Sequence, residues 1–313
     1  AVSDAAPQVY GRTRLQRAPG TFHGEYTKGS RPQVYGRTKL QRAPGAFYGE
    51  HTKGSQTRGD QIKLNKRISA STQVRDVLNV VRESHQHFGP REASLACHRL
   101  AKLLEANGHM VYTSDEDMAT FQLAIESAVR PAGERNAQDT SMTLWALAKL
   151  ARRGVDVDLA AVLAASEAVP HVASVMEPQA VSNTLWAIAK LAQQGLYVGS
   201  ETVRAVGKEA ARVAGKLNHP QGLTNMLWAF AHLKEMGFDI DVAEVRAVSD
   251  VAPRVASRLI SKAVANTLWA IAKLAENGVY VDLAGVRVVI REVPRVAGKM
   301  NSQDLSNTLW AIA

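Results

Sequence analysis

Residues 183–192 read NTLWAIAKLA, and the same ten residues return at 266–275. Related copies stand at 142–151 (MTLWALAKLA), 225–234 (NMLWAFAHLK) and 307–313 (NTLWAIA). These copies hold all five tryptophans of the chain, which are spaced 41, 42, 41 and 41 residues apart. A string that recurs in register at a fixed period indicates a tandem repeat. The repeat unit, rather than one globular core, therefore determines the fold.

Each unit is predicted to contain two main helices. The residues one before, two after and five after each tryptophan are apolar and fall on one side of a helix. A glycine nine residues after the tryptophan stands where a left-handed cap ends this first helix. A proline 25 residues after the tryptophan (Pro170, Pro253, Pro294, but Ala211 in one unit) starts a third short helix or kinks the second. The second helix is expected to begin near Asp158, Ser200, Asp241 and Asp282.

The helical pattern extends before the first tryptophan. Apolar residues lie on one helical stripe from Val74 to Phe88, and residues 95–103 (LACHRLAKL) form a degenerate first repeat with His98 in the tryptophan position. Ser114 is a predicted N-cap of its partner helix. We therefore expect an all-α fold, an α-solenoid of about six helical hairpins of roughly 41 residues. It comprises N-terminal helices at 68–137 and tandem repeats at 138–313, the last truncated, and one helix of every unit lines its concave surface.

Residues 1–67 differ in composition from the rest. Residues 7–30 return 25 positions later as residues 32–55 with four differences, and both copies are rich in Gly, Pro, Arg and Lys without helical or strand periodicity. Such a segment cannot cover a core, so a disordered basic arm is predicted. It carries 13 Lys/Arg against 4 Asp/Glu, whereas residues 68–313 carry 25 of each, so the arm accounts for the net charge of +9.

Several classes of protein are excluded by what the sequence lacks. One cysteine, Cys97, allows no intrachain disulfide, and no apolar run is long enough to span a membrane. Phosphate-binding glycine loops, zinc-binding His-Glu-x-x-His or Cys-x-x-Cys motifs and nucleophile elbows are absent from the sequence. No catalysis, cofactor or metal is expected from these residues.

The recurring Leu-Trp-Ala-x-Ala-Lys-Leu core resembles the octotricopeptide repeat family and the helical repeats of the FAST-kinase-like and RAP-domain proteins. The resemblance covers residues 92–313, with a period of 41 to 42 instead of the family's nominal 38 and without a RAP domain. It implies a protein of mitochondria or chloroplasts that binds single-stranded RNA, alone or with RNA-processing or ribosomal proteins. Its implied role is transcript stabilisation, processing or translation. Two alternatives are a protein-interaction scaffold of the HEAT or armadillo kind, and the targeting part of an RNA-processing enzyme whose catalytic domain lies beyond Ala313.

Two polar columns beside the tryptophans are the first candidates for RNA contact. The residues three before and four after each tryptophan lie on its side of the helix. Asparagine amides pair with base edges, and lysine attracts phosphate. The alternative is that the asparagines brace adjacent units by hydrogen bonds to the backbone, and the tryptophans are expected mainly as wedges between units. The columns comprise Asn183, Asn225, Asn266 and Asn307, with Lys149, Lys190, His232 and Lys273.

A second basic ladder follows the proline position. Its members recur once per unit in two positions four residues apart, which lie on one helical face and suit a phosphate backbone. The alternative is a solvated face balanced by Glu209 and Glu292. For base choice, the variable positions six before the tryptophan (such as Asp139 and Asp304) and seven after it (such as Arg152) are candidates. The ladder comprises His171, Arg212, Arg254 and Arg295, followed by Lys216, Arg258 and Lys299.

Overall fold

The computed structural model describes residues 57–106, 114–130 and 135–313. Both copies of the duplicated segment, and the predicted disorder of residues 1–56, lie outside this part of the chain. The described residues form helices joined by turns and contain no strand. The helices are α1 (Arg58–Ala70), α2 (Val74–Ser84), α3 (Pro90–Ala106), α4 (Asp115–Ala128), α5 (Ala137–Arg152), α6 (Leu159–Ser166), α7 (Val169–Val172), α8 (Pro178–Ala192), α9 (Ser200–Ala214), α10 (Pro220–Glu235), α11 (Val242–Ser249), α12 (Ala252–Val255), α13 (Ser261–Glu276), α14 (Leu283–Arg291), α15 (Val293–Val296) and α16 (Ser302–Ile312).

The helices form two rows that run in chain order. In the first row α3, α5, α8, α10, α13 and α16 each pack against the next. In the second row α4 packs against α6, α7 against α9, α9 against α11, and α12 against α14. The first-row helices from α3 to α13 also each pack against the second-row helix that follows them in sequence, as α8 does against α9. The predicted all-α architecture, with consecutive helices packing in a chain, is confirmed.

The core lies between the two rows and is filled by the apolar stripe of each first helix. In α8, Leu185, Ile188 and Leu191 are fully buried, and so are Leu227 and Phe230 in α10. Alanines beside the tryptophans let neighbouring first helices approach closely. Because every unit buries its stripe against the next, the stack is stabilised by contacts between neighbours.

The predicted helix ends are confirmed. Gly154, Gly195, Gly237 and Gly278 all have φ between 78° and 87°, the left-handed conformation that glycine adopts at little cost. Second helices begin where expected, since the side chain of Asp158 accepts a hydrogen bond from the amide of Ala161 at 2.7 Å. Asp241 and Asp282 cap α11 and α14 in the same way.

The proline position decides whether the second helix is broken. Pro170, Pro253 and Pro294 lie in the first turn of the short helices α7, α12 and α15, each of which follows a separate longer helix. In the unit that has Ala211 instead, α9 runs unbroken from Ser200 to Ala214. A proline in a helix interior lacks the amide hydrogen and clashes with the preceding turn, so it explains the break.

One part of the predicted arm is wrong. Residues 58–67 were expected to be disordered, but they belong to α1, which is capped by the Thr57 side chain. Leu64 and Ile68, four residues apart, are buried, and α1 packs against α3. The segment is mostly polar and shows little helical periodicity in the sequence. Its packing against α3 therefore could not be predicted from the sequence.

Candidate functional site

The tryptophans and their neighbouring cations form a continuous ladder across the first-row helices. Each cation position contacts the indole of the following unit. The Nζ atoms of Lys149, Lys190 and Lys273 lie 4.7, 3.9 and 4.7 Å from the ring centroids of Trp186, Trp228 and Trp310. The His232 ring takes the same place, with its centroid 4.7 Å from that of Trp269 and 4.1 Å from that of Trp228. The sequence interpretation of the tryptophans as wedges between units agrees with this arrangement.

The tryptophans are nonetheless only partly buried. Trp145, Trp186, Trp228 and Trp269 are half-buried, and Trp310 is exposed. Their indole N–H groups have no hydrogen-bond acceptor among the described residues. We call the surface formed by the five tryptophans, the four asparagines of the first column, and Lys149, Lys190, His232 and Lys273 the tryptophan face.

Electrostatics vary along the tryptophan face. Burial, followed by the charges of Arg152, Lys149 and Lys262, lowers the pKa of Lys190 to about 8. Burial also lowers the pKa of Lys149, although its ammonium pairs with Glu105. Burial and the charges of Lys190 and Lys273 lower the pKa of His232 to about 4, so this imidazole is neutral at pH 7.

Most of the asparagine amides on the tryptophan face have no hydrogen-bond partner within the described structure. Asn183, Asn225 and Asn266 are half-buried, and their side chains make no hydrogen bond to any described residue. Asn307 accepts one hydrogen bond from Gln303 at 2.9 Å. The bracing interpretation requires hydrogen bonds from these amides to neighbouring units, and the described residues provide none. A partly buried amide without a partner is poised to exchange water for a ligand.

A further column on the same face was missed in the sequence. The residue seven before each tryptophan also lies on its side of the helix, since seven residues are about two turns. These side chains are exposed, and their recurrence as Gln or Lys was a signal available from the repeat alignment. The column comprises Gln138, Gln179, Gln221, Lys262 and Gln303.

The two sets of variable positions have different surroundings. Asp139 and Asp304, six before the tryptophan, are buried; Asp139 accepts hydrogen bonds from Ser94 and Arg91, and Asp304 belongs to a capping box. The expectation that they choose bases is therefore wrong, because they lie on the core side of the helix. Positions seven after the tryptophan do border the tryptophan face, as Gln193 does by accepting from Lys190 at 2.9 Å.

The arginines of the second ladder hold consecutive units together. An Nη atom of Arg212, Arg254 and Arg295 donates to the carbonyl oxygen of Met176, Leu217 and Leu259 at 2.7, 2.8 and 2.7 Å. Each carbonyl lies in the turn that joins the preceding unit to the first helix of the arginine's own unit. Arg258 likewise donates to the Asn218 carbonyl at 2.6 Å, whereas Lys216, Lys299 and His171 are exposed without such a bond. These contacts give the arginines a structural role that sequence reasoning did not predict.

Three other features were considered in the described part of the chain: metal sites, membrane-spanning helices and the cysteine thiol. It contains no group of three or more His, Cys, Asp or Glu side chains arranged to hold a metal ion. None of its helices combines the length and the apolarity that crossing a membrane requires. Burial raises the pKa of Cys97 to about 12, so this thiol stays protonated and unreactive at neutral pH.

Comparison with known proteins does not place the chain in a family. No family model matches it, and no curated protein matches it. The resemblance to octotricopeptide repeats therefore rests on the recurring tryptophan strings.

Proposed function

We propose that this protein binds single-stranded RNA along its tryptophan face, with one asparagine per unit directed at a base. The observation that carries the proposal is the row of half-buried amides of Asn183, Asn225 and Asn266, which have no partner among the described residues. An amide offers a donor and an acceptor together, which is the pattern that base edges complement. None of the three amides is a buried unsatisfied group, so each can exchange its hydrogen bonds with water for hydrogen bonds with a ligand.

The surroundings of the amides suit the same ligand. An indole whose N–H has no acceptor follows each of these asparagines by three residues on the same helix. The lysines that lie between successive indoles supply positive charge that attracts the phosphate backbone of RNA. Because four of the five indoles already contact a lysine ammonium and Trp269 contacts the His232 ring, we propose that each indole borders the base instead of stacking fully upon it. Each unit then meets about one nucleotide, as in other helical-repeat readers of RNA.

The finer features of the proposal follow from the sequence. The repeating unit is a helical hairpin of about 41 residues within an α-solenoid, and the Arg- and aromatic-rich segment of residues 1–56 adds nonspecific RNA contact. By its resemblance to octotricopeptide repeats, the protein acts in a mitochondrion or chloroplast, in transcript stabilisation, processing or translation. It acts as a binding protein and not as an enzyme.

The test is selection from a randomised single-stranded RNA pool by the full chain at about 150 mM salt, where weak charge-only attraction is screened. A variant with Asn183, Asn225 and Asn266 all changed to Ala is the matched comparison. Enrichment of a motif by the native chain, and its loss in the variant, supports the proposal. Equal retention of the same pool by both proteins contradicts it, and absence of retention favours a protein-interaction scaffold.

A further inference from the structure

Three second-row helices carry an exposed arginine at the same position. The fifth residue of α9, α11 and α14 is Arg204, Arg246 and Arg287 respectively, and a valine precedes each of them. All three arginines are exposed. In α6 the equivalent residue is Leu163. We call Arg204, Arg246 and Arg287 the arginine column, which belongs to the second row, whereas the tryptophan face belongs to the first.

The packing of the second row sets the spacing of the arginine column. α9 packs against α11, and α12, which directly follows α11, packs against α14. Because the axes of packed helices lie about 8–10 Å apart, equivalent positions on successive helices recur at about that interval. The guanidinium groups therefore form a row with one charge per unit.

The arginine column has no acidic partner within the described part of the chain. No carboxylate oxygen of a described residue lies within 4.0 Å of any of its guanidinium groups. Glu201 and Asp250 lie three and four residues from an arginine of the column, on the same helical faces, and still do not pair with it. Positive charge is in excess on this surface. Its exposed charged residues within four positions of the column are Arg204, Lys208, Arg246, Arg287 and Arg291 against Glu201 and Asp250.

The column continues onto α6 as an apolar surface. Leu159 and Leu163 are 45% and 41% exposed, and a spacing of four residues places them on one helical face. Val242, four residues before Arg246, is 40% exposed beside the column. Protein–protein interfaces combine apolar side chains with arginine, whereas a phosphate backbone gains nothing from exposed leucine and valine. The composition of this surface therefore fits a protein partner better than a nucleic acid.

We infer that the arginine column, with Leu163 at one end, is a docking surface for an acidic helix of a partner protein. Residues seven apart on a helix lie on nearly the same face and about 10 Å apart along its axis, which matches the spacing of the column. A helix that crosses α6, α9, α11 and α14 meets Leu163 with an apolar residue and each arginine with an acidic residue one heptad further on. Arginine donates two parallel hydrogen bonds to a carboxylate, so each pair also fixes the register of the partner.

The test uses the full chain and a synthetic helical peptide of about four heptads. The peptide carries leucine in its first heptad and glutamate at the same position of each heptad that follows. One control peptide has glutamine in place of every glutamate, and a second keeps the number of glutamates but alters their spacing. The column variant combines Arg204→Gln, Arg246→Gln and Arg287→Gln, and Leu163→Ser removes the apolar end separately.

A matched control variant removes the same charge elsewhere. It combines Arg58→Gln, Lys66→Gln and Arg75→Gln, which replace exposed cations of α1 and α2 without an acidic partner among the described residues. Fluorescence anisotropy at about 150 mM salt gives the affinity of each protein for each peptide and, in parallel, for a single-stranded RNA. Thermal melting verifies that every variant is folded.

Each exposed ion pair changes affinity by a factor of about two, so the column variant is expected to bind the glutamate peptide about tenfold more weakly than the native chain. Leu163→Ser weakens the same binding by a smaller factor, the control variant binds like the native chain, and neither control peptide binds as well. RNA affinity is unchanged in the column variant. The same peptide results from a native chain that binds no RNA leave the docking surface standing and contradict the proposed function.

Three results overturn the inference. The first is no binding of the glutamate peptide by the native chain. The second is equal binding of the peptide with altered spacing, or equal loss in the column and control variants, since either shows attraction by net charge alone. The third is a fall in RNA affinity without a fall in peptide affinity in the column variant, which assigns the arginine column to nucleic acid.

Discussion

Replacing Asn225 with alanine separates the two roles that an asparagine of the tryptophan face can have. Asn225 lies in the middle of α10, is half-buried and makes no hydrogen bond to a described residue. A bracing role predicts loss of stability, whereas a ligand-binding role predicts loss of RNA affinity. Both quantities can be measured on the same protein.

The magnitudes follow from the contacts of Asn225. Since the substitution breaks no hydrogen bond within the described structure and alanine favours helix by about 0.5 kcal/mol, the free energy of unfolding stays within about 0.5 kcal/mol of the native value. A base contact through the amide contributes about 1–3 kcal/mol, so RNA affinity falls roughly five- to 150-fold. A bracing amide would instead contribute about 0.5–1.5 kcal/mol per hydrogen bond to stability.

Urea denaturation followed by circular dichroism gives the stability, and fluorescence anisotropy with an RNA selected by the native chain gives the affinity. Asn225→Gln keeps the amide but moves it by one methylene, and is expected to retain stability with reduced affinity. A drop of more than about 1 kcal/mol in stability of Asn225→Ala, combined with unchanged RNA affinity, would refute the reasoning.

Three further predictions concern stability. Ala211→Pro places a proline inside the unbroken α9 and should cost about 3 kcal/mol in urea denaturation, whereas Pro253→Ala, in the first turn of α12, should change stability by less than about 1 kcal/mol. Arg254→Ala removes a charged donor to the Leu217 carbonyl and should lower the free energy of unfolding by about 2 kcal/mol, with a lower melting temperature. An unchanged melting temperature would contradict the proposal that this arginine holds consecutive units together. Burial raises the pKa of Glu244 from 4.5 to about 7, so its protonation stabilises the fold at low pH and this contribution is lost between about pH 4.5 and 7. Glu244→Gln should therefore flatten the pH dependence of stability in that window, by about 1 kcal/mol after solvent screening; an unaltered profile would exclude Glu244 as its source.

The features that the sequence predicted correctly are local ones. A glycine after a helix, an aspartate before one and a proline within one each act on the few residues around them, so Gly278, Asp241 and Pro253 have the positions and effects expected from their spacing. The apolar stripe of the first helix is equally local. Repetition strengthened these predictions, because the same pattern occurred in several units.

The features that the sequence did not predict depend on how the rows are stacked. The carbonyl partner of Arg254 is 37 residues earlier in the chain, so helical periodicity could not reveal it. The face of a helix is readable from spacing, but whether Asn183 finds a partner in the next unit depends on the stagger between helices. From the sequence, the arginines of the second ladder were therefore candidates for contact with RNA phosphates. The hydrogen bonds of Arg212, Arg254 and Arg295 to backbone carbonyls give them a structural role.

The central claim is that RNA lies on the tryptophan face, and ultraviolet cross-linking followed by peptide mass spectrometry tests it most directly. The full chain is irradiated with a bound single-stranded RNA, and the cross-linked peptides are identified. We predict cross-links in α8, α10 and α13, at residues on the side of the tryptophans such as Asn183, Asn225 and Asn266. Cross-links confined to the second-row helices α9, α11 and α14, or to residues 1–56, would contradict the account.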